Sequence, residues 1–202
     1  MDWVAWHAAY DDPGSALSRR LRVVREQVRA ALDRSPPGPV TVLSMCAGDG
    51  RDLLGVLVDH PRRADVRARL VERDPRLVAA AHARPGVEVV EGDAGLIDAY
   101  AGLIPADLVL VCGVFGNISD ADVARTVRGC AGLCRQGGTV VWTRHRGDPD
   151  LFPGVCARFE TSGFDRVYAT PPETGFGVGA HRRTAPSPPI EPGTRMFAFT
   201  RG

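Results

Sequence analysis

The chain has 202 residues, 44% of them hydrophobic and 24% charged, with a formal net charge of +1, a makeup that suits one compact domain with its own core. That balance excludes a strongly basic nucleic-acid binder or a polybasic membrane-surface protein. No run approaches the roughly 18–20 apolar residues needed to cross a bilayer.

Every basic residue is Arg and there is no Lys, the signature of codon bias, so arginine patches carry little weight. The five cysteines, at 46, 112, 130, 134 and 156, are odd in number and form no C-x-x-C pair. Neither a disulfide framework nor a metal site is expected from them. Met1 to His7 has neither the basic start nor the apolar stretch of a signal peptide, so a cytoplasmic location is expected.

Along the chain, Trp3, Trp6, His7 and Tyr10 come first, followed by the turn 11–14. Ser15 is placed to cap a helix whose apolar residues recur at Leu17, Leu21, Val24, Val28 and Leu32. The Pro/Gly-rich stretch 35–39 ends it. Residues 1–36 therefore read as an N-terminal helical extension or lid on a domain spanning 37–202, within a single structural domain. The aromatic group fits either a lid over a pocket or the apolar patch of a docking helix.

From residue 40 the pattern alternates. Strands are predicted at 40–45, 66–71, 87–90, 107–112 and 139–143, and helices at 52–59, 75–84, 96–103 and 119–133. After Asp150 a helix at 153–161 and a strand at 164–169 follow. A Gly/Pro-rich stretch, 171–193, then reads as a mobile flap or an arm for a homodimer. A last strand, 196–200, lacks a crossover helix before it and should pair antiparallel. Short apolar strands between helices indicate parallel βαβ units, and hence an open, doubly wound α/β fold with helices on both faces.

Such sheets bind ligands at the carboxyl ends of the strands, where strand order reverses. The first predicted strand runs into Met45-Cys46-Ala47-Gly48-Asp49-Gly50-Arg51-Asp52, whose small residues let a ligand approach the backbone. Glu72 ends the second strand 22 residues after Gly50, where an acid can accept from both hydroxyls of a ribose. The dinucleotide fingerprint fails because Leu53 stands at its third glycine, and a P-loop fails for want of a Lys. A nucleoside ligand without a pyrophosphate fits best.

From about Val40 to Thr143 the sequence resembles the class I S-adenosylmethionine-dependent methyltransferases. Residues 42–50, Val-Leu-Ser-Met-Cys-Ala-Gly-Asp-Gly, resemble the first family motif, and 71–75, Val-Glu-Arg-Asp-Pro, the second. Glu91-Gly92-Asp93-Ala94, then 107–115, and Gly137-Gly138-Thr139 follow in family order. The resemblance implies a seven-stranded, mostly parallel sheet of order 3-2-1-4-5-7-6 with an antiparallel last strand. It implies S-adenosylmethionine as cofactor and S-adenosylhomocysteine as product. The cofactor residues it implies are Ser44, Cys46, Ala47, Gly48, Asp49, Gly50, Glu72, Arg73, Gly92, Asp93, Ala94, Cys112, Gly113 and Val114, with Glu72 on the ribose and Asp93 on the adenine amino group. Two departures stand out: Ser44 replaces the family's acid, and Cys46 its first glycine. Asp49, Asp52 or an N-terminal residue is the candidate substitute for the missing acid.

Each of these residues also has a plain structural role open to it: Gly48 and Gly50 as a tight turn, Glu72 as a surface acid beside Arg73, Asp93 as a cap of the next helix. His145, past the fifth strand, and Asn117, past the fourth, are the catalytic candidates, unless they are ordinary loop residues. His181 and Arg182-Arg183 are expected to be solvated, or else to contact an anionic acceptor. The function expected is methylation of oxygen, nitrogen or carbon on a small-molecule acceptor, with no membrane and no nucleic-acid partner. One rival is RNA methylation, using the helix bearing Arg19, Arg20, Arg22, Arg25 and Arg29. Another is a non-catalytic sensor or scaffold, to which the Ser44 and Cys46 departures point.

Overall fold

A computed structural model describes residues 8–81 and 84–200; Trp3, Trp6 and His7 lie outside it. A 3-10 turn, Ala8–Asp11, leads to helix α1, Ala16–Arg34, where the Ser15 hydroxyl accepts from the Ser18 amide at 3.0 Å. Leu21, Val24, Val28 and Leu32 are buried on one side of α1. At roughly 1.5–3 kcal/mol for each fully buried aliphatic side chain, this stripe fixes the helix to the sheet. The extension packs on the sheet, and Tyr10, Leu17 and Arg20 near its N-terminal end line a large cavity.

The strands are β1 Val40–Met45, β2 Val66–Glu72, β3 Val87–Glu91, β4 Ala106–Val111, β5 Cys134–His145, β6 Phe164–Ala169 and β7 Phe176–Arg183. They form one sheet in the order β3-β2-β1-β4-β5-β7-β6. β1 through β5 pair in parallel, whereas β7 is antiparallel to both β5 and β6. The remaining helices are α2 Arg51–Leu54, α3 Pro75–Ala80, α4 Asp120–Leu133 and α5 Phe152–Thr161. α1 and α2 cover one face, around Val42, Leu70, Leu110 and Val141. α4 and α5 cover the other, around Met45, Val109, Trp142 and Phe159. The doubly wound, seven-stranded architecture is as expected.

Several expected elements are corrected. The helix expected at 52–59 stops at Leu54 and passes into turns; the Arg25 guanidinium lies against Gly55, and Arg25 Nε donates to the Arg51 carbonyl at 2.9 Å. The helix expected from Pro75 ends at Ala80. Residues 96–103 form only a 3-10 turn, Ile97–Tyr100, because the Ile97 amide donates to Thr194 of the C-terminal segment.

The largest correction concerns 171–193 and 196–200. The antiparallel seventh strand is Phe176–Arg183, in the middle of the stretch expected to be a flap or dimer arm. Its glycines are cut-outs for aromatic rings. A Cβ on Gly177 would lie 2.2 Å from Phe152, and one on Gly179 would lie 2.4 Å from Trp142. His181, expected in solvent, is fully buried. Its Nδ1 accepts from Trp142 Nε1 at 3.0 Å, and its ring stacks on Phe159. Burial lowers its pKa to about 4. Arg183 is also buried, donating to carbonyls at Ser162, Gly163 and Pro186.

Residues 196–200 are not a sheet strand. The C-terminal segment crosses the α4 side and makes isolated bridges at Arg195 with Leu96 and Phe199 with Ile118. Ile190 fills the space left by Gly132, and Met196 and Phe197 are buried in the core.

Candidate active site

Strand order reverses between β1 and β4, and the loops after β1 to β5 open there onto a cavity of about 1030 Å³. Ligand pockets typically span ~300–1,000 Å³, and this one is at the upper end of that range. The 3-10 turn, α1 and the C-terminal segment complete its walls through Tyr10, Leu17, Arg20, Phe197 and Phe199.

The loop after β1 is built on left-handed backbone. Cys46 has φ +50° and Gly50 has φ +75°. A left-handed conformation costs a non-glycine residue about 1–2 kcal/mol; Cys46 thus takes the backbone that a glycine would supply. A Cβ on Gly50 would lie 2.7 Å from Leu70 and 2.8 Å from Leu54, so only glycine fits there.

Glu72 holds this loop. Its Oε2 accepts from the Gly48 amide at 2.8 Å, while Oε1 accepts from the Arg73 and Asp74 amides at 2.8 and 2.9 Å. An ionised carboxylate offers about four acceptor positions, so three amides leave roughly one for a ligand hydroxyl. Asp93, on the next strand end, accepts from the Gly95 amide at 2.9 Å and from Arg195 Nη1 at 2.8 Å.

On the other side of the switch point, Gly113 has φ +75°, and no atom lies within 4 Å of where a Cβ would stand, so the space before it is open. Its amide donates to Thr143 Oγ1, and its carbonyl accepts from Asn117 Nδ2 at 2.8 Å. Arg144 Nη1 donates to the Phe115 carbonyl. The exposed His145 ring lies over Gly116, with Nδ1 2.8 Å from where a Cβ would stand.

Cys46, Ala47, Glu72, Arg73, Gly92, Asp93, Ala94, Cys112, Gly113, Asn117 and His145, all expected at a site, line this one cavity. Ser44, Gly48, Asp49, Gly50 and Val114 do not. Ser44 is buried within the sheet between Leu70 and Leu110. The Gly48 amide is turned to Glu72, and Gly50 faces Leu70. The Asp49 carboxylate grips the Arg51 guanidinium, with Nε at 2.8 and 2.9 Å, and Val114 is in the core.

Asp52 does line the cavity, as does Tyr10. Burial raises the Asp52 carboxyl above its ordinary value against the pull of Arg20, and Cys112 shares a hydrogen bond with it. Burial raises the Tyr10 hydroxyl to about 12; it accepts from Arg20 Nη2 at 2.9 Å, and Arg51 lies over its ring. Burial likewise pushes the thiols of Cys46 and Cys112 upward, which makes them poor nucleophiles.

The α1 arginines are largely engaged within the chain. Arg19 binds the Gly14 carbonyl, Arg25 the Arg51 carbonyl, and Arg29 pairs with Asp59 at 2.6 Å. Arg144, Arg195, Phe197 and Phe199 also line the cavity, beyond the residues expected there. An Arg at the end of the otherwise apolar run 140–143 was a usable signal for Arg144; nothing local marks the C-terminal residues.

No protein-family model matches the sequence, and no curated protein matches it. Solved structures do resemble it in fold. An O-methyltransferase family protein from Burkholderia thailandensis superposes with a TM-score of 0.67 at 17% identity, over 92% of this chain and 61% of that one. The chain thus spans about three-fifths of that protein's length. A second protein from the same organism is 1,6-didemethyltoxoflavin-N1-methyltransferase, solved with 1,6-didemethyltoxoflavin and S-adenosylhomocysteine. It gives 0.62 at 18% identity, over 90% and 87%. A TehB-like SAM-dependent methyltransferase from Corynebacterium glutamicum gives 0.59 at 17%, over 86% and 100%. The chain has the Rossmann-like fold of class I methyltransferases.

Proposed function

We propose that this chain binds S-adenosylmethionine and transfers its methyl group to a small-molecule acceptor. The observation that carries the reading is the roughly 1030 Å³ cavity at the switch point, with Glu72 and Asp93 on consecutive strand ends and open backbone at Gly113. The residues present fit the cofactor. Glu72 keeps an acceptor position for the ribose, Asp93 one for the adenine amino group, and the loop 46–50 has the tight course the methionine tail needs. Asp52, facing the cavity, takes the role of the acid missing at Ser44 and receives the tail's ammonium.

When bound, the cofactor supplies an electrophilic methyl group on a sulfonium. The chain's own contribution is chiefly position and dehydration. Tyr10, Phe197 and Phe199 wall the cavity, and a bound ligand against these rings would displace water. Asn117 holds the Gly113 carbonyl and so shapes the loop beside the reacting end. His145, on the rim, accepts the proton of an acceptor hydroxyl or amine. The engagement of Arg19, Arg25 and Arg29 within the chain favours a small molecule over RNA. The likeness in fold to a methyltransferase crystallised with a small heterocycle supports the same choice.

The test is label transfer from methyl-labelled S-adenosylmethionine to a broad panel of phenols, amines, heterocycles and carbon acids. Transfer that is lost in His145→Ala with cofactor binding retained is the expected result. Cofactor binding without transfer to any acceptor would replace the enzyme by a non-catalytic sensor.

A further inference from the structure

Arg144 is only 8% exposed, yet it lines the cavity. One of its five N–H donors, on Nη1, is used by the Phe115 carbonyl. No carboxylate among the described residues forms an ion pair with it; Asp120 and Asp150 act on it only from a distance, and burial works against its charge. The neighbouring cavity cations differ. Arg51 is paired with Asp49, Arg76 with Asp74, Arg195 with Asp93, and Arg20 is bonded to Tyr10, while Arg73 is exposed to water. A guanidinium with little exposed surface and no counter-charge is poorly compensated, its remaining donors are open to the cavity rather than sealed in the core, and a planar fork of donors matches a carboxylate.

The surroundings define the rest of the ligand. The loop 113–117 carries the Arg144 contact at Phe115, the His145 ring over Gly116, and the Thr200 amide on the Asn117 carbonyl at 3.0 Å. Arg144 and His145 are thereby tied to the end of the cavity walled by Phe199, which bridges Ile118 and meets Phe197 edge to face at 5.8 Å; the Phe197 backbone lies beside Gly95. Glu72 and Asp93 stand on the other strand ends, β2 and β3. We infer that the methyl acceptor is a small aromatic carboxylate whose acid group is bound by Arg144, with its ring against Phe197 and Phe199 and its nucleophilic atom toward His145.

That this ligand accepts a methyl group rests on the methyltransferase reading; the carboxylate site itself does not. Hydroxybenzoates and hydroxynaphthoates, each beside its primary amide, are titrated calorimetrically into the protein saturated with S-adenosylhomocysteine. The expected result is a carboxylate bound about tenfold or more tightly than its amide, as a charge-assisted bidentate contact gives. The ratio falls to about one in Arg144→Gln and is partly restored in Arg144→Lys, with S-adenosylhomocysteine affinity unchanged in both. No carboxylate of the panel binding more tightly than its amide, or a preference that survives in Arg144→Gln, overturns the proposal. The wild-type comparison decides even if a variant fails to fold. If S-adenosylhomocysteine itself does not bind, the methyltransferase reading fails separately, and the same titrations without it still test the carboxylate site.

Discussion

Arg195 Nη1 lies 2.8 Å from Asp93 Oδ2, joining the C-terminal segment to the loop after β3 across 102 residues of sequence. Burial pushes the Asp93 carboxyl upward, but Arg195 and the Gly95 amide outweigh it and hold the group below its ordinary value. Asp93 is therefore ionised and already oriented at neutral pH.

Both side chains of this pair are more than two-fifths exposed, and such pairs contribute about 0–1 kcal/mol. Arg195→Ala should leave stability nearly unchanged and S-adenosylhomocysteine affinity unchanged or raised, since Oδ2 is freed. Asp93→Ala should weaken that affinity about tenfold or more, the worth of one hydrogen bond to a charged group. Calorimetric titration of both variants checks this; an Arg195→Ala affinity reduced more than Asp93→Ala's would reverse the assigned roles.

Glu72 makes a different prediction, one independent of any ligand. Glu72→Ala orphans three amides that the carboxylate now satisfies, and each buried unsatisfied donor costs roughly 1–3 kcal/mol. Water entering the gap offsets part of this, so a loss of about 2–4 kcal/mol is expected in urea unfolding of the ligand-free protein. Glu72→Gln, which keeps one acceptor oxygen, should fall between. An Ala variant as stable as wild type would mean that Glu72 does not hold the loop.

The same substitution should have opposite signs at two glycines. Gly179→Ala places a Cβ 2.4 Å from Trp142 in a closed core and should cost about 1–3 kcal/mol. Gly154 is exposed in α5 with nothing within 4 Å of a Cβ, so Gly154→Ala should gain about 0.5–1 kcal/mol. Thermal unfolding of the two variants reads both signs.

Those glycines also mark where the sequence is legible and where it is not. Ser15 and Ser119 identify two helix starts by capping chemistry, and the runs at 40–45 and 107–112 identify central strands by apolarity; both signals are local. β7 was hidden because Gly177 and Gly179 resemble turn residues until Phe152 and Trp142 are seen beside them. The cavity's first three loops were legible from small residues and acids at strand ends. Arg195, Phe197 and Phe199 reach the site only because Ile190 and Met196 pack against α4, a long-range relationship with no periodic signature.

His181 gives a pH dependence of defined sign. Its folded pKa is about 4 because burial disfavours the charged ring, against about 6.5 unfolded. The unfolded chain alone takes up the proton between these values, so stability is full above about pH 6.5 and falls as pH drops toward 4. The whole shift corresponds to about 3 kcal/mol. His181→Phe should remove this contribution, so the wild-type-minus-variant difference in urea stability should decline across that window. A difference flat with pH would show that His181 is protonated alike in both states.

The central claim is that the cavity is an adenosyl-methionine site, and thermal unfolding with S-adenosylmethionine, S-adenosylhomocysteine or NAD tests it most directly. A ligand at 100 times its dissociation constant adds about 2.7 kcal/mol, which should raise the midpoint by roughly 5–10 °C for a domain of this size. The account predicts that shift with both adenosyl ligands, none with NAD, and about half of it or less in Asp93→Ala at the same ligand concentration. No shift with either adenosyl ligand at millimolar concentration would contradict it.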